Sequence, residues 1–312
     1  MTVVVGYIPH RGGRGALDLG LKLAHARGEA MAVVTVVPRQ WTTPSLAKID
    51  AEYAEYARQV GEAAEQQARE YLTDTSVTVE TSYRTATGRS VSSALVDAVR
   101  DVDGSTLVIG SSADGPEGRI VTGSTAEKLL HSAPIPLAIS PRGYRSTAAD
   151  GFTRLTCAFS DSPSSVRTVA HAAELAKVLG TPLRVASFGV RHATMYPPEV
   201  GVTAEDSVLD SWATQAAEAQ RQLVADGIID GSTPCVIGTG TGWVESVSSI
   251  DWQRDELLAV GSSATGPIAR VFLGSRAGKL IRASPVPVVV LPACPASDAL
   301  AALTVYVIDR TA

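Results

Sequence analysis

The sequence predicts an α/β protein built as two tandem, doubly wound sheets of five parallel strands each. Three observations predict it. Short runs that are apolar throughout alternate with helical patterns, the signature of strands covered on both faces. The stretch Gly110–Pro141, opening "GSSADGPEGRIVTGS", returns without a gap as Gly261–Pro292, opening "GSSATGPIARVFLGS", with about half its positions identical. An internal duplication of that fidelity bounds the fold before any single element does. Finally, 312 residues suffice for two domains, each with its own core.

In the first half "TVVVGY" reads as a strand, and Gly15 to Arg27 follows with helical periodicity. "MAVVTVVP" is a second strand, stopped by Pro38, which has no amide to donate. The alanine- and glutamate-rich stretch from Leu46 to Leu72 has high helix propensity. "SVTVETSYR" is a third strand, Ser90–Val102 a helix, "STLVIGSS" a fourth strand, Thr125–His131 a helix and "IPLAIS" a fifth strand. The second half repeats the order. "RLTCAFS" is followed by a helix over Ser164–Leu179, then "PLRVASFG" and a helix from Ala204 to Ala225. "TPCVIG", a short helix over Val244–Ile250, "ELLAVGSS", a helix over Arg276–Ala283 and "VPVVVLP" complete it. Right-handed crossovers make each half a sandwich that binds ligands at the carboxyl ends of its strands. Both repeated loops leave such an end.

Composition removes several classes. Apolar residues are 45% and charged residues 19%, as in soluble globular chains. A net charge of −5 and aromatics at 5% argue against a nucleic-acid surface, which needs basic stripes or stacking platforms. No apolar run approaches the roughly 20 residues that cross a bilayer. The opening "MTVVVGYIPH" reads as a strand and not as a signal peptide, and Cys157, Cys235 and Cys294 lack metal-ligand spacing. A cytoplasmic protein is expected.

The repeated loop suits an anion. Gly123-Ser124 and Gly274-Ser275 stand directly before a helix, where free amides and the positive end of the helix dipole face the loop. Ser124 and Ser275 can act as N-caps or donate hydroxyls, and Arg119 and Arg270 sit at matching places inside the loops. A dipole contact contributes about 0.3–1 kcal/mol, and each hydrogen bond to a charged group about 1.5–3 kcal/mol. Gly and Ser are also ordinary turn residues. Neither G-x-x-x-x-G-K-[ST] nor G-x-G-x-x-G occurs here, and "SDSPSS" at Ser160–Ser165 does not complete a pyrophosphatase loop.

With these residues the chain resembles the universal stress protein family in its tandem form, whose signature after the fourth strand is G-x2-G-x9-G-[ST]. Here it reads Gly110-x2-Ala113-x9-Gly123-Ser124 and Gly261-x2-Ala264-x9-Gly274-Ser275. The resemblance implies a Rossmann-like fold of the adenine nucleotide α-hydrolase type, with domains at 1–144 and 152–293 and a tail at 294–312. It also implies halves related by a pseudo-two-fold axis through their fifth strands, an intramolecular pseudo-dimer, leaving a further homodimer open. It implies a site for ATP or AMP, leaving open whether Mg²⁺ accompanies it. The implied ligand set is Val36, Gly110, Ala113, Arg119, Gly123, Ser124 and Thr125 in the first half. Phe188, Gly261, Ala264, Arg270, Gly274, Ser275 and Arg276 form its counterpart, Val36 and Phe188 facing adenine through their backbones. The middle glycine of the signature is alanine in both copies, and an alanine forced into a left-handed conformation costs about 1–2 kcal/mol. The family's aspartate at the end of the first strand is replaced by Ile8 and by Ser160, with Asp161 one residue later. The expected function is nucleotide binding in a stress response, exerted through conformation or partner contact. A scaffold that has lost the nucleotide and a slow ATPase are the alternatives.

No catalytic constellation stands out. His10, His25, His131, His171 and His192 share no ligand spacing, though His10 and "HRGGRG" lie beside the expected ligand. Tyr53 and Tyr56, three residues apart, read as a pair packed against the sheet. Pro134, Pro136, Pro285 and Pro287 fit fifth strands that form a partly paired edge. The run Thr304–Ile308 in the tail reads as an added strand.

Overall fold

The computed structural model describes residues 1–9, 13–37, 47–131, 133, 135–191, 198–262 and 275–292. The first half runs β1 (Thr2–Gly6), α1 (Arg14–Arg27), β2 (Ala30–Val36), α2 (Ala47–Thr73), β3 (Thr81–Ala86), α3 (Val91–Asp101), β4 (Gly104–Gly110), α4 (Ser124–Leu130) and β5 (Leu137–Ser140). A 3-10 turn at Ala148–Asp150 leads to the second half. That half runs β6 (Leu155–Ala158), α5 (Pro163–Val178), β7 (Leu183–Val190), α6 (Pro198–Ala225), β8 (Cys235–Gly240), α7 (Trp243–Ser248), β9 (Leu257–Gly261), α8 (Ser275–Ala283) and β10 (Val288–Leu291).

The strands form one 10-stranded sheet in the order β3-β2-β1-β4-β5-β10-β9-β6-β7-β8. Every pairing is parallel except β5 with β10, where Val288 faces Ile139 and Val290 faces Leu137 in an antiparallel register. Each half is therefore the expected doubly wound unit, and the halves are joined by a pseudo-two-fold axis through their fifth strands. Pro136 and Pro287 consequently lie beside the middle of the sheet, correcting the expected edge. Each precedes a strand and offers its carbonyl to a neighbour, Leu107 N–H to Pro136 and Leu258 N–H to Pro287, both at 2.9 Å. The missing amide of proline falls where pairing has not begun.

Strand alternation divides the core into two layers. Val3, Val5, Val108 and Ala138 face α1 and α2, while Val4, Leu107, Ile109, Leu137 and Ile139 face α3 and α4. The second half does the same, with Leu257 and Ala259 on one side and Leu258 and Val260 on the other. A fully buried valine or leucine contributes about 1.5–3 kcal/mol, so a one-residue register slip that turned these faces over would be prohibitive.

Some boundaries move. β3 starts at Thr81, although Val77 and Val79 before it still pack on the core. α6 starts at Pro198, earlier than Ala204, because proline is tolerated in a first helical turn. Tyr56 is 57% exposed, so only half-buried Tyr53 of that pair approaches the interior. Pro134, Cys294 and the tail lie outside the described residues. No described helix is long and apolar enough to cross a membrane.

Candidate functional site

β4 delivers the chain to the loop still paired: Ser111 N–H donates to Ser140 at the end of β5, at 3.0 Å. The loop then closes on itself. Ser112 N–H donates to the Val121 carbonyl at 2.9 Å, and Val121 N–H donates to the Ser111 hydroxyl at 2.8 Å. Ile120, 1% exposed, anchors the returning strand of the loop in the α3/α4 layer. Gly115 has a packing reason to be glycine, since a Cβ there would lie 2.5 Å from Val121. Gly118 has a conformational one, with φ of +72°.

Arg142, just beyond β5, holds the loop from outside. Its N–H donates to the Arg119 carbonyl at 3.0 Å, its carbonyl accepts from Gly118 N–H at 2.9 Å, and its guanidinium donates to the Gly115 carbonyl. Arg142, Ser111 and Ser112 were not among the sequence candidates. The two serines were legible in the repeated Gly-Ser-Ser-Ala, whereas Arg142 falls one residue past the end of the repeat, where the second half has Ala293.

The loop ends at α4. Gly123 occupies the N-cap with φ −80° and ψ 176°, and Glu127 N–H donates to its carbonyl at 2.9 Å. Ser124 is thus the first helical residue, exposed; of the two roles the sequence offers it, the N-cap falls to Gly123, and no side chain caps this helix. Thr125, half-buried, follows. Amides of a first helical turn have no partner within the helix and suit an anion. Ala113 carries no left-handed strain, because Asp103 and Asp255 are the only non-glycine positive-φ residues among those described. The expected cost of that alanine is therefore absent.

Arg119 is committed elsewhere in this structure. Its guanidinium donates to the carbonyl of Ala283, the last residue of α8, in the other half. Nearby, Thr122 bonds to Glu127, whose carboxylate is 3.9 Å from the Arg282 guanidinium. The first loop and the end of α8 are one contact. At the strand ends, Ile8 is 54% exposed, and Val36 closes β2 opposite Ala86. Of "HRGGRG", His10, Arg11 and Gly12 lie outside the described residues, while Gly13 is the N-cap of α1 and Arg14 and Gly15 open that helix.

The second half repeats this frame where it is described. Ser262 N–H donates to Leu291 at 3.0 Å, as Ser111 does to Ser140. Phe159 N–H donates to Ala186 at 2.8 Å, as Tyr7 does to Val34 at 2.9 Å. Gly261 is required by packing, since a Cβ would lie 2.2 Å from Thr168 Oγ1 of α5. Ser275 and Arg276 open α8, both exposed, and Phe188 is buried within β7. Beside it, the Trp212 ring of α6 covers Gly189, 2.3 Å from where a Cβ would stand. Asp161 is exposed next to Ser162, the N-cap of α5. Ala264, Arg270 and Gly274 lie outside the described residues, as does His192.

The remaining candidates divide between the interior and the surface. Burial pushes the Cys157 thiol up to about 12, while Cys235 is exposed on the edge strand β8. Burial, then Arg167, lowers the pKa of half-buried His171; His25 is exposed. Among the described residues no group of three His, Cys, Asp or Glu side chains could hold a metal.

Comparison with known proteins matches this architecture. The model of the universal stress protein family matches residues 1–141 and again 151–292. A universal stress protein of Mycobacterium tuberculosis strain H37Rv is 45% identical over 292 residues, covering 94% of this chain and 100% of that protein. The crystal structure of a universal stress protein from Archaeoglobus fulgidus superposes with a TM-score of 0.58 at 17% identity, covering 93% of this chain and 95% of that one. One from Pseudomonas aeruginosa gives 0.57 at 14%, covering 93% of each. At those identities the structures speak for the fold alone. The family match over both halves, with its signature loop after the fourth strand each time, places the chain in the universal stress protein family.

Proposed function

We propose that this protein binds an adenine nucleotide at the carboxyl ends of its strands, against the Gly110–Ser124 loop, and acts in a stress response through conformation or partner contacts. One observation carries the reading. Gly115 and Gly118 are explained by packing and by backbone conformation, but Gly123 is explained by neither. Its φ of −80° is open to any residue, and an added Cβ would meet nothing nearer than Ser112, at 3.8 Å. What glycine provides there is open access to the amides of Ser124 and Thr125, and a phosphate is the group that uses it. Ser112 and Ser124 would supply hydroxyls, and Val36 a backbone edge for the base. Mg²⁺, where present, would neutralise phosphate charge. Catalysis forms no part of the proposal.

Two observations favour a second reading, an interaction scaffold without nucleotide. Arg119 is spent on Ala283, and Ile8 offers no polar group at the end of β1. Thermal unfolding with and without ATP and Mg²⁺ separates the two, since a ligand specific to the native state stabilises it by about 2.7 kcal/mol at a hundredfold excess over Kd. A midpoint that stays fixed at millimolar ATP selects the scaffold.

A further inference from the structure

We propose that Arg142 positions the first loop for its ligand and thereby makes the two halves unequal, the first binding the nucleotide more tightly. The inference rests on the function proposed above. Arg142 grips the loop at three places, Gly115, Gly118 and Arg119, on both sides of its tip. Two of these contacts are made by backbone atoms that any residue could supply. The third needs the guanidinium. A loop held this way has its ordering cost met before the ligand arrives, so more of the contact energy appears as affinity.

The gapless repeat identifies the counterpart. Pro141 corresponds to Pro292, and the next residue, Arg142, to Ala293, which lies outside the described residues and whose methyl group has no donor. Where both halves are described the frame agrees, Ser111 and Ser262 making the same bond to Ser140 and Leu291. A bond from a charged donor is worth about ten- to hundredfold in an equilibrium constant; because it acts only by lowering the cost of ordering the loop, that factor is the ceiling on the difference expected between the two sites.

Calorimetric titration of the full chain with ATP and Mg²⁺ tests this. Two classes of site are expected. Arg142→Ala should remove the tight class, Arg142→Lys should keep part of it, and Ala293→Arg should tighten the weak class towards the other. The last variant leaves the first loop untouched, so it decides the matter even if Arg142→Ala fails to fold. Two equal sites in the parent protein, or a tight class unchanged in Arg142→Ala, would overturn the inequality while leaving nucleotide binding in place. An absence of saturable binding would remove the proposed function, and this inference with it.

Discussion

The Lys22 ammonium, on α1 of the first half, lies 3.0 Å from the Asp255 carboxylate of the second, with no exposed surface of its own. Ser146, in the segment joining the halves, donates to the same carboxylate oxygen at 2.6 Å and accepts from Lys22 at 2.8 Å. The Phe152 ring lies 5.3 Å from the ammonium. The two halves are thus joined by a buried ion pair as well as by β5 and β10. Breaking such a pair from one side strands a charge and costs about 3–5 kcal/mol. Lys22→Ala is expected to lose that much in urea unfolding. Lys22→Met combined with Asp255→Asn should recover most of it, since asparagine also tolerates the φ of +63° at position 255. A double variant no more stable than Lys22→Ala would show that a stranded carboxylate is not what Lys22→Ala costs.

Asp18, on the same helix, is buried, with one oxygen accepting from Tyr71 at 2.7 Å and the other unpartnered. Desolvation raises its pKa above the ordinary 3.8, outweighing the Tyr71 bond, Arg145, the Ser146 amide and Arg14, which lower it. A carboxyl with a raised folded-state pKa holds its proton more tightly when folded. Its contribution is complete below pH 3.8 and is lost as pH rises through the elevated value. Asp18→Asn keeps an oxygen for Tyr71 and removes the charge. Its stability relative to the parent should therefore rise with pH across that window, measured by denaturant midpoints. A difference independent of pH would contradict the assignment.

The succession of elements along the chain, the duplicated half and the loop after β4 were legible because they depend on local pattern: strand runs apolar throughout, helix periodicity and a recurring Gly-Ser frame. The destinations of long side chains were not. Arg119 stands inside the repeated motif, yet its guanidinium ends on α8, a contact created only when the halves pair through β5 and β10. Arg142 was invisible for the complementary reason, since it acts through backbone atoms of a segment more than a loop away. Ser124 is the first helical residue and not the cap because Gly123 supplies the extended conformation that a cap needs. Sequence period finds elements to within a few residues, and a cap is decided by one.

The Arg119 contact has a measurable consequence. The carbonyls of a last helical turn lack partners, and a cation there also meets the negative end of the dipole. Arg119→Ala is expected to lower stability by about 1.5–3 kcal/mol. It should also speed amide exchange over Leu280–Ala283, in the half it does not belong to. Exchange that quickens only within Gly110–Ser124 would mean that the bond to Ala283 holds the loop and does nothing for α8.

Gly123→Ser separates stability from binding most cleanly, because the two are expected to move in opposite directions. The backbone at Gly123 is extended, the conformation in which serine caps a helix, and nothing closer than Ser112 would meet the new side chain. Serine ranks above glycine at such positions, by a few tenths of a kcal/mol. The variant should unfold at a slightly higher temperature than the parent. Its hydroxyl would then take an amide of α4 that the phosphate is proposed to use, and its Cβ would narrow the approach. With ATP and Mg²⁺ present, the stabilisation seen for the parent should be lost or much reduced. If Gly123→Ser keeps the full ATP-dependent shift, the nucleotide does not sit against this end of the loop, and glycine is there for a reason that neither packing, conformation nor ligand access explains.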